Sequence, residues 1–130
     1  MQYTVQIKEH HLDTFGHVNN AVYLELLEEA RWELITERGY GLKEVLKYKK
    51  GPIVLEMNIK FLKELKLREK IQITFEFVAG GNGKIGHGKQ QMINEKNEVC
   101  CEASITMGFF DLDARKLILP TNEWKKVIEI

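Results

Sequence analysis

The stretch of sequence that decides the fold is residues 19–35, which read NNAVYLELLEEARWELI. Its apolar side chains recur every three or four residues, so they share one face of a helix; they are Tyr23, Leu26, Leu27, Ala30, Leu34 and Ile35. Asn19 or Asn20 can cap the first turn, because a side-chain amide oxygen accepts a backbone N–H that has no helical partner. Gly39 and Gly41 are suited to the C-terminal end of the helix, where glycine is the usual residue. The stretch therefore predicts a helix of about 18 residues that begins near Asn20.

Strand patterns lie on both sides of this helix. Before it, Tyr3, Val5 and Ile7 alternate with polar residues, which is the pattern of a half-buried strand. After it, a short helix is expected within 41–50, and alternating series follow at 53–61, 71–77, 89–95 and 99–109. Hairpin turns are expected at 80–83 and 94–97. One helix covers only one face of a sheet. This order therefore predicts an α+β fold in which the four strands after the long helix form an antiparallel meander and the sheet curls around that helix.

Length and charge limit the function classes. The chain has 130 residues, which suits a single domain spanning 1–130. Its 19 basic residues balance its 19 acidic residues, whereas a dedicated nucleic-acid-binding protein needs an excess of Lys and Arg. No apolar run approaches the length of a membrane span, and the first residues alternate instead of forming the apolar core of a signal peptide. We therefore expect no nucleic-acid partner and no membrane span.

The two cysteines, Cys100 and Cys101, are neighbours in the sequence. Adjacent side chains on a strand point to opposite faces, so the pair is poorly placed for a disulfide. We expect Cys101 to face the core and Cys100 to face outward. A chain without disulfides is typical of a reducing compartment, so a cytoplasmic location is expected. Nucleophilic catalysis would need a histidine beside either thiol, and the sequence places none there.

Two glycine patterns resemble phosphate-binding loops, at residues 81–86 (GNGKIG) and 83–89 (GKIGHGK). A strand pattern follows each of them. Phosphate-binding loops of these two types need a helix after the loop, because the N–H groups and the dipole at the helix N-terminus bind the phosphate. Gln90 also stands where the second pattern needs Ser or Thr to hold magnesium. The patterns favour a hairpin. Lys84 and Lys89 within it are candidate contacts for the phosphates of a bound ligand.

Four residues with metal-binding side chains lie close together in the sequence: His10, His11, Asp13 and His17. Their spacing matches no common zinc pattern, and the cysteines are too far along the chain to complete an obvious set. We therefore expect no metal site and no cofactor.

Polar residues concentrate in residues 13–23, DTFGHVNNAVY, where a loop enters the long helix. Asp13 supplies a carboxylate shortly before helical N–H groups near Asn19 and Asn20, and such unpaired groups stabilise a developing oxyanion. Gly16 allows a tight turn or a close approach of the backbone to a ligand. The segment therefore combines a nucleophile or base with an oxyanion site. The alternative is a capping loop in which Asp13 and Asn19 only satisfy backbone donors.

The same segment carries a family resemblance. Residues 13–23, with the pattern Asp-x-x-Gly-His-Val-Asn-Asn-x-x-Tyr, and residues 28–31, Glu-x-Ala-Arg, resemble the 4-hydroxybenzoyl-CoA thioesterase group of hotdog-fold acyl-CoA thioesterases. The resemblance implies a hotdog fold, with a five-stranded antiparallel sheet wrapped around a long helix. It also implies a homodimer or dimer of dimers (homotetramer) with active sites between subunits. The implied substrate is an acyl-CoA or an acyl carrier protein thioester. Residues 63–66, KELK, depart from the family, which often has proline there.

Residue roles follow from the matched motif positions. Asp13 matches the catalytic aspartate, as nucleophile or general base, and the N–H near Asn20 matches the group that polarises the thioester carbonyl. Lys84 and Lys89 become candidate contacts for CoA. The other candidate oxyanion or substrate-binding residues are Gly16, His17, Asn19 and Tyr23, of which His17 and Asn19 would shape the site or place water.

Two other functions stay open. A hotdog acyl-thioester dehydratase or hydratase would use His17 as base, with an acid from elsewhere in the chain. A non-catalytic acyl-thioester binding module would use Asp13 only as a loop cap. Glu28 and Arg31 match the motif without a clear role, and an ion pair within the helix or at an interface is the structural alternative.

Overall fold

The computed structural model describes the backbone of residues 2–129, and the side chains of 2–78 and 83–129; Met1 and Ile130, the ends of the predicted domain, lie outside the described residues. The long helix is α1 (Asn20–Glu37), with the predicted start and length. Asn19 is its N-cap, because the Asn19 side-chain oxygen accepts the Ala21 N–H at 2.8 Å. All six predicted apolar positions are buried. The periodicity of 19–35 therefore places one helical face in the core.

The strands of the described residues form one antiparallel sheet. They are β1 (Gln2–Gln6), β2 (Lys50–Phe61), β3 (Lys70–Thr74), β4 (Glu76–Asn82), β5 (Ile85–Ile93), β6 (Val99–Asp111) and β7 (Lys116–Ile118). Two short helices, α2 (Leu42–Tyr48) and α3 (Asn122–Ile128), lie before β2 and after β7. The sheet order is β1-β3-β5-β6-β2, with β4 paired to β5 and β7 to β6. The predicted α+β class, a long helix with an antiparallel sheet, is confirmed.

The predicted meander is wrong at β2, which pairs with β6 and not with β3. The reason is the segment 62–69, which connects β2 to β3 and which we call the crossover segment. Its start is bonded to β6, since Leu62 and Lys63 donate their N–H groups to the Cys100 carbonyl. Its end is bonded beside β1, because the Arg68 N–H donates to the Ile7 carbonyl at 2.7 Å. The chain therefore enters β3 next to β1.

The single strand predicted over 71–77 is two strands, β3 and β4, interrupted at Phe75. Phe75 is fully buried, and its ring occupies the space that a Cβ atom at Gly88 would need, at a separation of 2.7 Å. The turn that follows β4 is at residues 83–84, at the end of the predicted 80–83 turn, and Gly83 has a positive φ of 60°. This interruption, together with β7, accounts for seven strand segments where five strands were predicted.

The core has two parts along α1. One surrounds the N-terminal half of the helix and includes Val18, Tyr23, Leu27, Met92 and Cys101. The other surrounds the C-terminal half and includes Leu34, Tyr40, Phe75, Phe109 and Trp124. Full burial of one large apolar side chain contributes about 1.5–3 kcal/mol, so both ends of the helix are held against the sheet. No helix in the described range is long and apolar enough to cross a membrane.

The expectation that Cys100 faces outward is wrong, because Cys100 and Cys101 are both fully buried free thiols. The pairing of β5 with β6 shifts register between Met92–Cys101 and Ile93–Val99, which leaves Cys100 as the extra residue of a bulge. A bulge breaks the alternation of faces, so the neighbouring side chains can both enter the core. Burial raises the pKa of the Cys101 thiol to about 11 and also raises that of Cys100.

We expect neither thiol to react with a disulfide reagent in the folded protein at mildly alkaline pH. The thiolate is the reactive form, and a raised pKa together with full burial removes it. A colourimetric thiol assay should detect no free thiol in buffer and both thiols in denaturant. Rapid reaction of the native protein would show that the bulge exposes Cys100.

Candidate active site

The loop before α1 is organised by Asp13. Its Oδ1 atom accepts the backbone N–H groups of Phe15 at 2.9 Å and His17 at 3.2 Å. The backbone closes the same turn, since Asp13 donates to the His17 carbonyl at 2.8 Å and Gly16 donates to the Asp13 carbonyl at 3.0 Å. Gly16 has a φ of 77°, in the left-handed region that favours glycine. Asp13 therefore has the capping role that the sequence allowed, but through Oδ1 alone; Oδ2 accepts no hydrogen bond from the described residues.

The first turn of α1 leaves one N–H group available beside this loop. The Ala21 N–H is taken by the Asn19 side chain, and the N–H groups of Val22 and Tyr23 donate to the Asn19 carbonyl. The Asn20 N–H has no acceptor among the described residues. Helix N-termini carry a partial positive charge and bind anions through such free N–H groups. Asn19 therefore acts as the cap, whereas a role of the Asn20 N–H in binding an oxyanion stays a prediction.

An open depression of about 370 Å³ lies at the start of α1. Its lining residues are His17, Val18, Asn20, Tyr23, Phe61, Leu62, Lys63 and Glu64. Tyr23 is buried, burial raises the pKa of its hydroxyl, and its ring meets the edge of Phe61 at 4.9 Å between centroids. Phe61 and Leu62 are half exposed. The depression therefore has a polar side near the helix N-terminus and an apolar side formed by β2 and the crossover segment.

His17 has an acidic neighbour that the sequence did not predict. Its Nε2 atom lies 3.4 Å from Oε1 of Glu64, and both side chains are more than half exposed. Glu64 belongs to residues 63–66, which sequence reasoning treated only as a departure from the family. The crossover brings the two residues together, so no local spacing could have indicated the contact.

Arg31 is a buried cation in the middle of α1. It is only 6% exposed, and its Nη1 donates to Oε1 of Gln90 at 3.0 Å. Gln90 in turn donates through Nε2 to the Leu27 carbonyl at 3.1 Å. Burial lowers the pKa of Arg31, which the negative charge of Glu28 opposes. No ion pair joins Arg31 to a carboxylate within the described part of the chain, so the alternative of an ion pair with Glu28 within the helix does not hold in this structure.

Arg31 lies in a groove of about 480 Å³ between α1 and β2, which we call the α1/β2 groove. Its lining residues are Leu24, Glu28, Arg31, Trp32, Ile35, Pro52, Ile53, Val54, Met57 and Met107. Leu24, Trp32 and Val54 are partly exposed there. The groove is apolar apart from the two charged residues of the Glu28–Arg31 motif.

The candidate CoA contacts lie away from this loop in the same chain. Lys84 is in the turn between β4 and β5 and lines a cavity with Trp124, in the part of the core around the C-terminal half of α1. Lys89 is exposed on β5, opposite Glu76 on one side and Ser104 on the other. Neither lines the depression at His17, so contact with CoA stays a prediction for both. Over residues 2–129 the structure groups no three metal-binding side chains of His, Cys, Asp or Glu.

Comparison with known proteins shows the family to which the chain belongs. The model of the thioesterase-like superfamily matches residues 7–128. The chain belongs to this superfamily. The expected resemblance to hotdog thioesterases and the expectation of an enzyme are thereby confirmed.

Individual relatives agree with the family over nearly the whole chain. The chain is 32% identical to the long-chain acyl-CoA thioesterase FadM of Escherichia coli (strain K12), with 99% of this chain and 97% of the relative covered. The crystal structure of YbaW, a probable thioesterase from Escherichia coli, superposes with a TM-score of 0.85 at 32% identity, covering 98% and 96% of the two chains. The protein SAV2348 from Staphylococcus aureus, solved in complex with CoA, has a TM-score of 0.90 at 17% identity, covering 98% of this chain and 80% of that one. At that identity the last comparison shows the fold alone.

Proposed function

We propose that this chain hydrolyses acyl-CoA thioesters to a free carboxylic acid and CoA. The observation that carries the proposal is the loop at 13–20, where the Asp13 carboxylate leads directly into α1. Among the residues that the structure describes, one oxygen of this carboxylate accepts no hydrogen bond and the first N–H of the helix has no acceptor. Family membership and a relative named as a long-chain acyl-CoA thioesterase support this chemistry. Two buried free thiols also suit a reducing cytoplasm, where acyl-CoA would be the substrate.

The mechanism assigns one task to each part of the loop. The thioester carbonyl oxygen accepts the Asn20 N–H, so negative charge that develops on it lies at the positive end of α1. Oδ2 of Asp13 either attacks the carbonyl carbon or takes a proton from a water molecule that attacks it. When water attacks, the C–S bond breaks as the acyl carbon gains the hydroxyl of water, and the departing CoA thiolate takes the proton that Asp13 accepted. When Oδ2 attacks, loss of the thiolate leaves a mixed anhydride. A water molecule then cleaves this anhydride to the free acid and the restored Asp13 carboxylate, and its proton goes to the thiolate. Oδ1 meanwhile holds the loop through Phe15 and His17.

The residues around the Asp13 loop contact the water molecule and the acyl group of the substrate in this proposal. Gly16 allows the turn that presents His17, and His17 with Glu64 holds water at the mouth of the depression. Tyr23 and Phe61 form an apolar wall for the acyl group next to the thioester. Asn19 fixes the direction of the first helical turn through its cap.

The His17–Glu64 pair favours a second candidate, hydration of a 2-enoyl thioester. A histidine beside an acid is the pair that such chemistry uses. The two activities separate in one assay in which the purified chain receives butyryl-, decanoyl-, palmitoyl- and benzoyl-CoA, and then crotonyl-CoA. Thioester hydrolysis predicts release of free thiol from at least one saturated or aromatic substrate. Loss of the enoyl absorbance without thiol would establish the hydratase, and tight binding without turnover would establish a binding module.

We also propose that a second copy of the chain docks along the α1/β2 groove. The outer edge of β2 has no strand partner among the described residues, and unpaired sheet edges are normally covered. Arg31 needs a carboxylate, and Glu28 lies in the same groove on the preceding turn of α1. A two-fold axis through the groove brings Glu28 of each copy to Arg31 of the other, which is the self-complementary pattern of a symmetric dimer.

Charge reversal at Glu28 should therefore weaken the dimer. Glu28→Lys places a second cation opposite Arg31 in each half of the interface, and close like charges there cost several kcal/mol, of the order seen at other interfaces. Sedimentation at micromolar concentration should show dissociation toward monomer. Glu37→Lys, on an exposed position outside the groove, serves as the matched control. An unchanged dimer, or a chain that is monomeric from the start, would overturn this interface.

A further inference from the structure

An apolar cavity lies away from the Asp13 loop, in the part of the core that surrounds the C-terminal half of α1. It has a volume of about 250 Å³, is partly open to solvent, and lies between β4, β5, β6 and helix α3. Phe77, Met107, Phe109, Trp124 and Ile128 supply its walls. An apolar cavity of about 150 Å³ already stays dry and binds benzene. This space, which we call the Trp124 cavity, is therefore suited to an apolar ligand, and the thioester mechanism makes no use of it.

Gly86 of β5 lines the Trp124 cavity and borders open space. Residues 86, 88 and 90 share one face of β5, and both Gly88 and Gln90 are buried against the core. A Cβ atom at Gly88 would lie 2.7 Å from the Phe75 ring, whereas a Cβ atom at Gly86 would have no heavy atom within 4 Å. Gly86 also lacks a positive φ, so a side chain there is compatible with the backbone. A side chain at position 86 would therefore occupy space that is open in the structure.

The rim of the Trp124 cavity carries a positive charge. Lys84 lies in the β4–β5 turn, is exposed to solvent, and is one of the residues that line the cavity. No carboxylate lines the cavity, and none lies within ion-pair distance of Lys84, among the side chains that the structure describes. An apolar interior with one cation at its mouth is complementary to an alkyl chain that ends in a carboxylate.

We propose that the Trp124 cavity binds a medium-chain fatty acid, with the alkyl chain inside and the carboxylate on Lys84. The ligand class rests in part on the proposed function, because a fatty acid is the acid product of acyl-CoA hydrolysis. The cavity is lined by none of the residues of the Asp13 loop, so it is a second site that can hold product while the loop remains free.

Tryptophan fluorescence gives a direct test, since the chain has 2 tryptophans and one of them lies in the cavity. Trp32 lies in the α1/β2 groove, so the Trp32→Phe variant reports on Trp124 alone. Titration of this variant with decanoate should give a saturable change in emission. Decan-1-ol, which has the chain without the carboxylate, should bind more weakly.

Four further substitutions in that background, one of them a matched control, separate the parts of the site. Gly86→Leu fills the cavity and should abolish the saturable change, and Gly86→Ala, which fills less, should weaken it. Lys84→Gln should weaken decanoate binding roughly tenfold, as expected for loss of one charge-assisted contact, and leave decan-1-ol unaffected. Lys96→Gln, a lysine in the β5–β6 turn, is the matched control and should bind decanoate normally.

The outcomes distinguish this site from the proposed function. Decanoate binding that is absent, or that is equal in Gly86→Leu and Trp32→Phe proteins, overturns the fatty-acid site even if acyl-CoA is hydrolysed. Saturable binding that is lost in Gly86→Leu supports the site even if no thioester is cleaved. Equal binding of decanoate and decan-1-ol, unaffected by Lys84→Gln, overturns the role of the carboxylate.

Discussion

Replacing Asp13 by asparagine is expected to lower kcat for thioester hydrolysis by about 10²–10⁴-fold, the range for loss of a positioned base. Asparagine keeps an oxygen at the Oδ1 position, so the hydrogen bonds from Phe15 and His17 can persist. The free Oδ2 atom becomes an amide nitrogen, which has neither negative charge nor a lone pair for proton transfer. Initial rates of thiol release, with a thermal unfolding curve for each protein, measure both effects.

Asp13→Ala is the matched comparison, because it removes the structural and the chemical role together. Loss of two hydrogen bonds to the carboxylate should lower the free energy of unfolding by about 1–3 kcal/mol, in addition to the loss of turnover. Urea unfolding should therefore separate the alanine variant from the asparagine variant, while both are inactive. Full activity of a well-folded Asp13→Asn protein would leave Asp13 as a loop cap only.

Asn20→Pro is expected to lower kcat by about 10²–10³-fold, the usual result of removing one oxyanion donor. Proline has no backbone N–H, so the substitution deletes the donor for which the described residues provide no acceptor. Asn20 is the first residue of α1, where proline is favoured. Asn19 has φ −63° and ψ 143°, an extended conformation that tolerates a following proline. The helix should therefore form normally, as circular dichroism will show.

Asn20→Ala is the control for the side chain, since alanine keeps the backbone N–H. We expect its kcat to stay within a few-fold of the wild-type value. If the alanine and proline variants lose activity equally, the Asn20 side chain and not its backbone serves the reaction. If the proline variant is fully active, the carbonyl oxygen is polarised elsewhere.

The sequence predicts what depends on local spacing. The start and the length of α1 follow from apolar periodicity and an asparagine cap. The structure confirms the helix start, its length and the Asn19 cap. The order of the sheet does not follow, because the partner of β2 is chosen by the crossover segment at 62–69, which has no distinctive pattern of its own. The burial of Cys100 was missed for a related reason, since a bulge in β6 is set by its pairing with β5.

The candidate site likewise contains residues that are close in sequence and contacts that only the fold creates. Asp13, Gly16, Asn19 and Asn20 are close in sequence, so one motif was enough to place them together. Glu64 and Gln90 reach His17 and Arg31 only through the fold, and single-sequence reasoning had no signal for either contact. The charge of Lys84 makes it a candidate contact for CoA, which stays a prediction, and in this chain the residue lines the Trp124 cavity.

Free-thiol release from acyl-CoA is the measurement that tests the central claim most directly. Decanoyl- and palmitoyl-CoA should be offered to the wild-type chain and to Asp13→Asn at equal folded concentration, with the carboxylic acid quantified in the same samples. The account predicts one acid formed per thiol released by the wild type, and almost no release by the variant. Equal release by both proteins, or none by the wild type from either substrate, would contradict it.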